Sequence, residues 1–287
     1  MKKISFEEYL SQHYSSTAIR GYSQMIQRFQ MQIRSASTAK ASEVMDYLAS
    51  LRQQGLSPKT LRNHLFALKI WFRYLREIGE REDHPCQHIQ LKDAIDRQVA
   101  VESLYSRKLL DELYENYQCK DPKHQHRNQA IVSLLVFQAL TVLEIIQLKT
   151  SAIDWEKGTV TLPDNAKNKG RTLQLKAEQL ALFQTYEQRH RPQYLRENES
   201  PCFFLSNEGK ALWNGAIGRI LNQNKNHQTK RSPLKIRQSV IAHLLKDHNL
   251  RVVQEFAGHR KISSTEAYQQ SDWQELRTQV GKFHPLG

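Results

Sequence analysis

Cysteine is scarce in this chain. The three cysteines, Cys86, Cys119 and Cys202, form no close pair among 287 residues. A disulfide framework needs paired cysteines, and a structural zinc site needs four Cys or His ligands at regular spacing. Cys119 lies near His124 and His126, but this cluster lacks four-ligand spacing, so we interpret it as a loop and expect no bound metal. The scarcity favours a reducing compartment, so we expect a cytoplasmic protein.

Long apolar segments are also missing. No uninterrupted apolar run reaches about 18 residues, the length that a membrane-spanning helix needs. The first residues, MKKISFEEYLSQHY, continue after two lysines with acidic and polar side chains, which is not the pattern of a secretory signal. We therefore expect no membrane partner. Internal repeats and low-complexity tracts are absent from the sequence as well.

Positive charge is in excess along the whole chain. Forty-two Lys and Arg residues against 29 Asp and Glu give a formal net charge of +13. The excess is 15 against 10 in residues 1–100 and 27 against 19 in the remainder. A basic balance in both halves suits a protein that contacts a polyanion through both. Charge alone does not separate nucleic-acid binding from an ordinary solvated surface, so the motifs must decide.

A polar segment divides the sequence into two parts. Residues 1–79 have helical periodicity, and four helices fit, one of them following Ser15-Ser16-Thr17 and reaching about Arg34, another beginning at Ser42 and closed by Gly55. The segment EREDHPCQHIQLKD interrupts this periodicity with charge and a proline. We predict a helical domain over 1–79, a linker over 80–95 and a second domain over 96–287.

The fourth predicted helix combines an apolar stripe with a basic set. It begins at Ser57-Pro58, where serine can cap and proline suits the first helical position, and continues through KTLRNHLFALKIWFRYLREI. Its apolar residues recur near a period of 3.6. The basic residues between them are Lys59, Arg62, Lys69, Arg73 and Arg76. They form either a solvated helix face or a surface turned toward phosphates.

The second part is predicted to be mostly helical with one small antiparallel sheet. Helices are expected over 106–118 and 127–149, the latter with a break near Leu140. Two strand-like runs, SAIDWEKGTVTL and RTLQLK, flank the polar turn PDNAKNKG. Further helices are expected over 179–190 and 211–281, with a short buried run over 202–205. The predicted fold class is mainly α, an all-helical N-terminal domain followed by an α+β domain.

Two stretches of the second part contain motifs of fixed spacing. The segment SPLKIRQSVIAHLLKDHNLRVVQEFAGHRKISSTEAY contains Arg237, Gly258-His259 and, nine residues after that histidine, Tyr268. These residues resemble the second catalytic block of the tyrosine recombinases, the Xer-like phage integrase family. In that block Pro-His-x-Leu-Arg opens a helix, Leu-Gly-His follows, and a tyrosine ends a Ser-x-Thr-x-x-Tyr run nine residues after the histidine. RNQAIVSLLVFQALTVLEIIQLKTSAID resembles the first block, and residues 1–79 resemble the SAM-like core-binding domain. The resemblance therefore covers nearly the whole chain.

The resemblance implies a phosphoryl transfer on double-stranded DNA without metal, ATP or other cofactor. Tyr268 would attack a DNA phosphate, leaving a 3′-phosphotyrosyl link and a free 5′-hydroxyl, with Arg237 and His259 in the same catalytic set. An aryl oxygen is a competent nucleophile and leaving group, and the phosphate gains charge that fixed cations stabilise. The implied setting is DNA recombination, integration or transposition.

Three positions depart from the family pattern. Thr141 stands where the first block has a phosphate-clamp arginine, and Leu234 stands where the second block has the acid–base histidine. In the turn, Ala166 stands where the family has its β-turn lysine. Lys167 follows one residue later and is the candidate substitute. Lys169 stands at the position of a second, non-catalytic lysine of the family. Losing a transition-state arginine costs about 10³–10⁵ in rate. We therefore expect the chain's own strand cleavage to be impaired.

Three functions stay open. The first is a DNA-binding protein of recombinase fold with impaired cleavage, which acts on recombination or transposition ends. The second is an active recombinase in which Lys167, Lys235 or another basic residue replaces the missing groups. The third is a helix-turn-helix transcription factor, although no short two-helix unit with a clear recognition helix stands out. Each motif residue also has a structural interpretation: Tyr268 as a surface tyrosine, His259 as packing beside Gly258, and Arg237 as the partner of an acid such as Glu144.

Both recombinase hypotheses predict DNA contacts from both domains and weaker binding at high salt. The predicted DNA-binding residues are Lys59, Arg62, Lys69, Arg73, Lys169, Arg171, Lys230, Arg231 and Lys235. The helix predicted after Tyr268, DWQELRTQVGKF, has an apolar stripe that suits docking on another protomer or packing in its own domain. The expected partners are double-stranded DNA, a second copy on DNA, and a partner recombinase or transposition protein.

Overall fold

The computed structural model describes residues 4–94, 99–100, 103–195, 199–223 and 230–268. It divides into two compact units, Met1–Asp96 and Arg97–Gly287. Each unit has a hydrophobic core of its own. Among the residues described, no helix combines the length and apolar character that crossing a membrane requires.

Residues 4–94 contain the four predicted helices: α1 Phe6–His13, α2 Ser16–Gln32, α3 Ala41–Gln53 and α4 Pro58–Glu77. The predicted start of α4 is confirmed, because Ser57 Oγ accepts a hydrogen bond from the Thr60 amide at 3.3 Å and Pro58 takes the first position. Two boundaries shift slightly: α2 ends before Arg34, and α3 starts one residue before Ser42.

The core of the first unit is aromatic. Phe29 of α2 lies against Tyr47 of α3 and against Trp71 and Phe72 of α4, with ring centroids 5.0–6.2 Å apart. Edge-on packing of this kind adds to the stability that burial of the ring surfaces provides. This packing buries the apolar stripe of α4. The basic residues of the same helix, Lys59, Arg62, Arg73 and Arg76, are exposed.

Residues 80–94, the predicted linker, pack on the first unit. Cys86 is fully buried in its core. The Lys69 ammonium group donates to the carbonyls of Gln87 at 3.4 Å and Ile89 at 2.9 Å. This segment is irregular because charge and proline interrupt its periodicity, yet its apolar residues still find the core.

The second unit is mostly helical, and the predicted fold class is confirmed. Its helices are α5 Arg107–Glu115, α6 Gln125–Phe137, α7 Val142–Ile146, α8 Ala177–Thr185, α9 Arg191–Leu195, α10 Ala216–Leu221, α11 Pro233–Asp247 and α12 Leu250–Ala257. A π-helix, Tyr186–His190, follows α8, and residues 263–268 are helical. The strands β1 Ile153–Asp154, β2 Thr159–Leu162 and β3 Arg171–Gln174 form an antiparallel sheet in sequential order, with Val160 opposite Leu173.

Helix α6 is the centre of the second core. Ile131, Leu134 and Leu135 are fully buried, and every residue from Ala130 to Val136 is buried, as expected for a helix surrounded by other elements. The buried run over 202–205 is confirmed by Phe203 and Phe204, which are both inaccessible. Helix α5 is shorter than predicted: Ser106 caps it, and it ends at Glu115. The predicted docking helix after Tyr268 lies outside the described residues.

The loop that contains Cys119 is held by hydrogen bonds. The Cys119 thiol donates to Gln223 at 3.2 Å, and His124 Nδ1 is 2.6 Å from the Tyr194 hydroxyl. Within the described residues no three His, Cys, Asp or Glu side chains are grouped as metal ligands.

Candidate active site

Arg237 lies in the second turn of α11 and is buried, with 6% of its surface exposed. Its guanidinium donates through Nη1 to the Ala139 carbonyl and through Nη2 to the Ala257 carbonyl at 2.6 Å. The first acceptor lies at the break between α6 and α7, the second at the end of α12. The alternative pairing of Arg237 with Glu144 is wrong, since Glu144 forms its ion pair with Arg171.

Ala139 has left-handed backbone geometry, with φ of 51°. This is the second residue after α6, at the predicted break near Leu140. A side chain in this conformation costs roughly 1–2 kcal/mol, because Cβ approaches the next carbonyl oxygen. The turn brings the Ala139 carbonyl to Arg237, so the strain lies in the part of the backbone that positions the arginine.

Replacing Ala139 with glycine is therefore expected to stabilise the second unit. We expect Ala139→Gly to raise the free energy of unfolding by about 0.5–1 kcal/mol, because relief of the left-handed strain exceeds the entropic cost of glycine. Ala181→Gly, at an exposed position inside α8, is the matched control and should lower it by about 1 kcal/mol. Urea unfolding measures both, and equal losses in the two variants would contradict the assignment of strain.

Thr141 caps α7 together with Glu144. The threonine hydroxyl accepts from the Glu144 amide at 3.3 Å and donates to Glu144 Oε2 at 2.9 Å, while the Thr141 amide also donates to Oε2 at 2.8 Å. This reciprocal arrangement satisfies the first turn of the helix. The single donor that threonine offers in place of the family arginine is thus already bonded to a carboxylate.

Glu144 is buried and carries the ion pair of the site. Arg171, at the start of β3, contacts it through Nη1 to Oε1 at 2.6 Å and through Nη2 to Oε2 at 3.3 Å. Burial raises the pKa of Glu144, but the hydrogen bonds and charge of Arg171 outweigh it, so that the pKa is lowered. Arg171 differs from the other predicted DNA-binding residues in having a side chain that is 6% exposed.

The turn between β2 and β3 is anchored to the segment that follows α12. The Lys169 amide donates to the Gly258 carbonyl at 2.9 Å, and Asn168 pairs with His259 in an isolated bridge. Arg260 donates through Nε to the Asn165 carbonyl at 2.9 Å. Lys167 is exposed in this anchored turn. Sequence reasoning missed Arg260, which matches no motif residue.

Gly258 ends α12 with φ of 68°, the left-handed cap that favours glycine. A Cβ at this position would lie 2.5 Å from Arg171 Nη1, so a larger residue would also displace the guanidinium. The cap turns the chain so that His259 Nδ1 lies 2.9 Å from the Thr265 hydroxyl. Burial, with the charges of Arg237 and Arg171, lowers the pKa of His259 to about 4, so this histidine is neutral near pH 7.

Tyr268 is the last described residue and is buried, with 8% of its surface exposed. The interpretation as a surface tyrosine is therefore wrong. Burial raises its pKa, and the charge of Arg237 acts in the opposite direction. The same arginine also acts on His259. Arg237 thus interacts electrostatically with both His259 and Tyr268. The raised pKa keeps the Tyr268 hydroxyl protonated near neutral pH.

The remaining predicted residues of the second unit lie at the surface or partly buried. Leu234, in the first turn of α11, is 64% exposed and has no proton to transfer. The Lys235 ammonium group lies 4.9 Å from the centre of the Tyr105 ring, a cation–π contact. Lys169 and Lys230 are exposed, and Arg231 is half-buried. Ala166 is exposed in the turn beside Lys167.

In the first unit three of the predicted basic residues line a surface cavity of about 650 Å³. These are Lys69, Arg73 and Arg76, and the cavity is also lined by Glu77, His84 and Gln87. Arg73 is exposed, as are Lys59 and Arg62 nearer the start of α4. Arg62 also donates to the Asp93 carbonyl at 2.7 Å.

Comparison with known proteins gives matches over most of the chain. Residues 106–275 match the model of the phage integrase family, and residues 3–79 match the phage integrase N-terminal SAM-like domain. Tyrosine recombinase XerC of Alcanivorax borkumensis is 29% identical over 256 residues, which cover 86% of this chain and 80% of XerC. Tyrosine recombinase XerA of Pyrococcus furiosus is 26% identical over 279 residues, which cover 95% and 90%.

Solved structures share the fold at low identity. The XerH site-specific recombinase bound to palindromic difH substrate gives a TM-score of 0.69 at 22% identity and covers 92% of this chain and 79% of XerH. The Tn1549 transposon integrase in complex with a circular intermediate DNA gives 0.67 at 16% identity, with 94% and 96% covered. A lambda integrase tetramer bound to a Holliday junction gives 0.65 at 12% identity, with 91% and 74% covered.

Proposed function

Because the chain belongs to the phage integrase family of tyrosine recombinases, we propose that it binds double-stranded DNA during recombination, integration or transposition and that its own strand cleavage is impaired. The observation that carries this proposal is a site in which Arg237, His259 and Tyr268 are assembled while Thr141 and Leu234 occupy two further motif positions. Arg237, His259 and Tyr268 support phosphate recognition. Thr141 and Leu234 lack the groups that speed the reaction, so slow cleavage is expected.

The two substituted positions remove different contributions to the reaction. Attack by the tyrosine hydroxyl places negative charge on the phosphoryl oxygens, which a second guanidinium would stabilise. The leaving 5′ oxygen must gain a proton, which general acid catalysis speeds by about 10²–10⁴. Thr141 uses its hydroxyl on Glu144, and Leu234 has nothing to donate. Both contributions are therefore weak in this chain.

DNA binding is supported by the relatives and by the exposed cations. XerH and the Tn1549 integrase were solved with DNA, and lambda integrase was solved as a tetramer on a junction. By analogy this chain would contact duplex phosphates and self-associate on DNA, with or without a partner recombinase or transposition protein. The exposed basic residues available for phosphate contacts include Lys59, Arg62, Arg73, Lys169 and Lys230.

A second candidate is an active recombinase with an atypical site. The anchored turn favours it, since the pairing of Asn168 with His259 holds Lys167 next to the segment that carries the histidine. A lysine ammonium in that place would supply a proton or a charge to the phosphate. In this case Tyr268 would form a 3′-phosphotyrosyl link without any restoring mutation.

The proposed DNA binding predicts a steep salt dependence. We expect the affinity for a random-sequence duplex to fall by about 10³-fold between 50 and 200 mM salt if about six phosphates are contacted. Arg73→Gln should reduce the slope of log affinity against log salt by about 1. Fluorescence anisotropy with a labelled duplex measures both values.

Lys108→Gln is the control for this titration, because Lys108 is an exposed lysine of α5 outside the predicted set. It should leave the slope unchanged. An affinity that is flat between low and moderate salt, or the absence of duplex binding, would contradict the proposed function.

A further inference from the structure

We propose that Arg171 supplies the second guanidinium of the phosphate site, in place of the charge that Thr141 lacks, a role that rests on the function proposed above. Thr141 marks the position of the missing arginine in sequence. Arg171 brings a guanidinium to the same place from another element, the start of β3.

Arg171 and Arg237 connect the same two segments of the chain. Arg237 donates to Ala139, two residues before Thr141, and Arg171 pairs with Glu144, three residues after it. On the other side, Arg237 Nη2 lies 2.6 Å from the Ala257 carbonyl, and Arg171 Nη1 lies against Gly258. The two guanidinium groups therefore lie side by side between the start of α7 and the end of α12.

Arg171 also lies next to the Thr141 side chain. Arg171 Nη2 and Thr141 Oγ1 are both bonded to Glu144 Oε2, at 3.3 and 2.9 Å. Two groups on one acceptor oxygen are necessarily close neighbours. The guanidinium is thus beside the position that the first-block arginine of the family would occupy.

One nitrogen of the Arg171 guanidinium group, Nε, has no hydrogen-bond partner among the described residues. This nitrogen is buried. Buried polar groups are normally hydrogen-bonded, so an orphan of this kind points to an absent acceptor. Phosphate and carboxylate oxygens are the acceptors that guanidinium groups bind most strongly. Burial of the Arg171 side chain does not argue against this role, because the motif residue Arg237 is also buried.

The charge of the cluster matches a phosphodiester. Arg171 and Arg237 contribute two positive charges, Glu144 contributes one negative charge, and His259 is neutral near pH 7 because its pKa is about 4. The net charge of +1 equals that of one phosphodiester with opposite sign. A buried anion needs such compensation.

The test uses inorganic phosphate as the probe and the arginine Nε–H signals as the readout, in the full-length protein labelled with ¹⁵N-arginine. Phosphate replaces chloride at constant ionic strength. We expect the Arg171 and Arg237 signals to shift together with one saturable dissociation constant. Loss of the Arg171 signal in the Arg171→Met variant assigns it.

Two matched variants separate a phosphate ligand from a structural residue. The Glu144→Gln variant removes the carboxylate that competes with phosphate for Arg171. The double variant, Glu144→Gln with Arg171→Met, removes the cation as well. Neither variant therefore leaves a buried carboxylate without its partner. Removing one charge-assisted contact should weaken phosphate binding at least about tenfold in the double variant relative to Glu144→Gln, read at Arg237.

Equal dissociation constants in these two variants, or a wild-type titration without a shift of the Arg171 signal, would overturn the role of Arg171. Failure of the proposed function has a different signature, since it is the loss of duplex binding in the wild-type protein. A protein that binds DNA but couples phosphate to Arg237 alone keeps the proposed function and loses only the role of Arg171.

Discussion

Restoring the two substituted groups, by Thr141→Arg together with Leu234→His, is expected to raise the rate of covalent DNA adduct formation by at least about 10³-fold. The arginine supplies charge at the phosphate, for which losses of about 10³–10⁵ are typical. The histidine supplies proton transfer, with about 10²–10⁴. The substrate is a nicked suicide duplex from candidate element-end DNA, and a denaturing gel measures the adduct.

The control is Tyr268→Phe in the restored background. It should abolish the adduct, because phenylalanine lacks the hydroxyl that attacks the phosphate. Each single restoration should give a smaller increase than the pair. A wild-type adduct that forms as fast as that of the restored variant would show that cleavage is not impaired. It would favour the active recombinase with an atypical site.

Breaking the Glu144–Arg171 pair is expected to be the most destabilising of the substitutions considered. Both side chains are about 95% buried. Glu144→Ala leaves the guanidinium buried without its counter-charge and removes the partner of the Thr141 cap. We expect the free energy of unfolding to fall by about 3–5 kcal/mol. Chemical denaturation followed by circular dichroism measures the loss.

Removing both charges should cost much less than removing one. The Glu144→Gln, Arg171→Met double variant is expected to lie within about 2 kcal/mol of the wild type, because desolvation of the pair offsets most of its attraction. Equal losses in the single and double variants would contradict the ion-pair explanation.

The pair also predicts the sign of a pH effect. The pKa of Glu144 is lowered below its ordinary value of 4.5 in the folded protein. Its stabilising contribution is therefore complete above that value and is lost as pH falls through the lowered pKa. The double variant lacks this contribution.

Much of the architecture could be predicted from sequence because it depends on local signals. The Ser57-Pro58 start of α4, the break near Leu140 and the antiparallel strands around the polar turn all follow from capping, periodicity and turn composition. Arg237, His259 and Tyr268 could be found because they stand in motifs of fixed spacing. The structure adds that Arg237 and Tyr268 are buried and that His259 is half-buried.

Other parts of the site depend on contacts between distant segments. Arg171 and Glu144 are 27 residues apart, and Arg260 reaches the turn over 95 residues. No spacing rule connects such residues. The sequence therefore predicts Arg171 as a DNA contact but not as the buried partner of Glu144. The left-handed Ala139 was also beyond prediction, because alanine gives no local signal for that conformation.

The capping role of Thr141 opposes restoration of the family arginine. An arginine there would remove the hydroxyl that closes the first turn of α7, at a cost of about 1 kcal/mol. It would add charge at the phosphate, but proton transfer would still be missing while Leu234 has no proton to give. Recovery of both contributions therefore requires a second substitution 93 positions away. Under the proposed function, the helix cap thus makes the step back toward the family arginine carry a cost in stability.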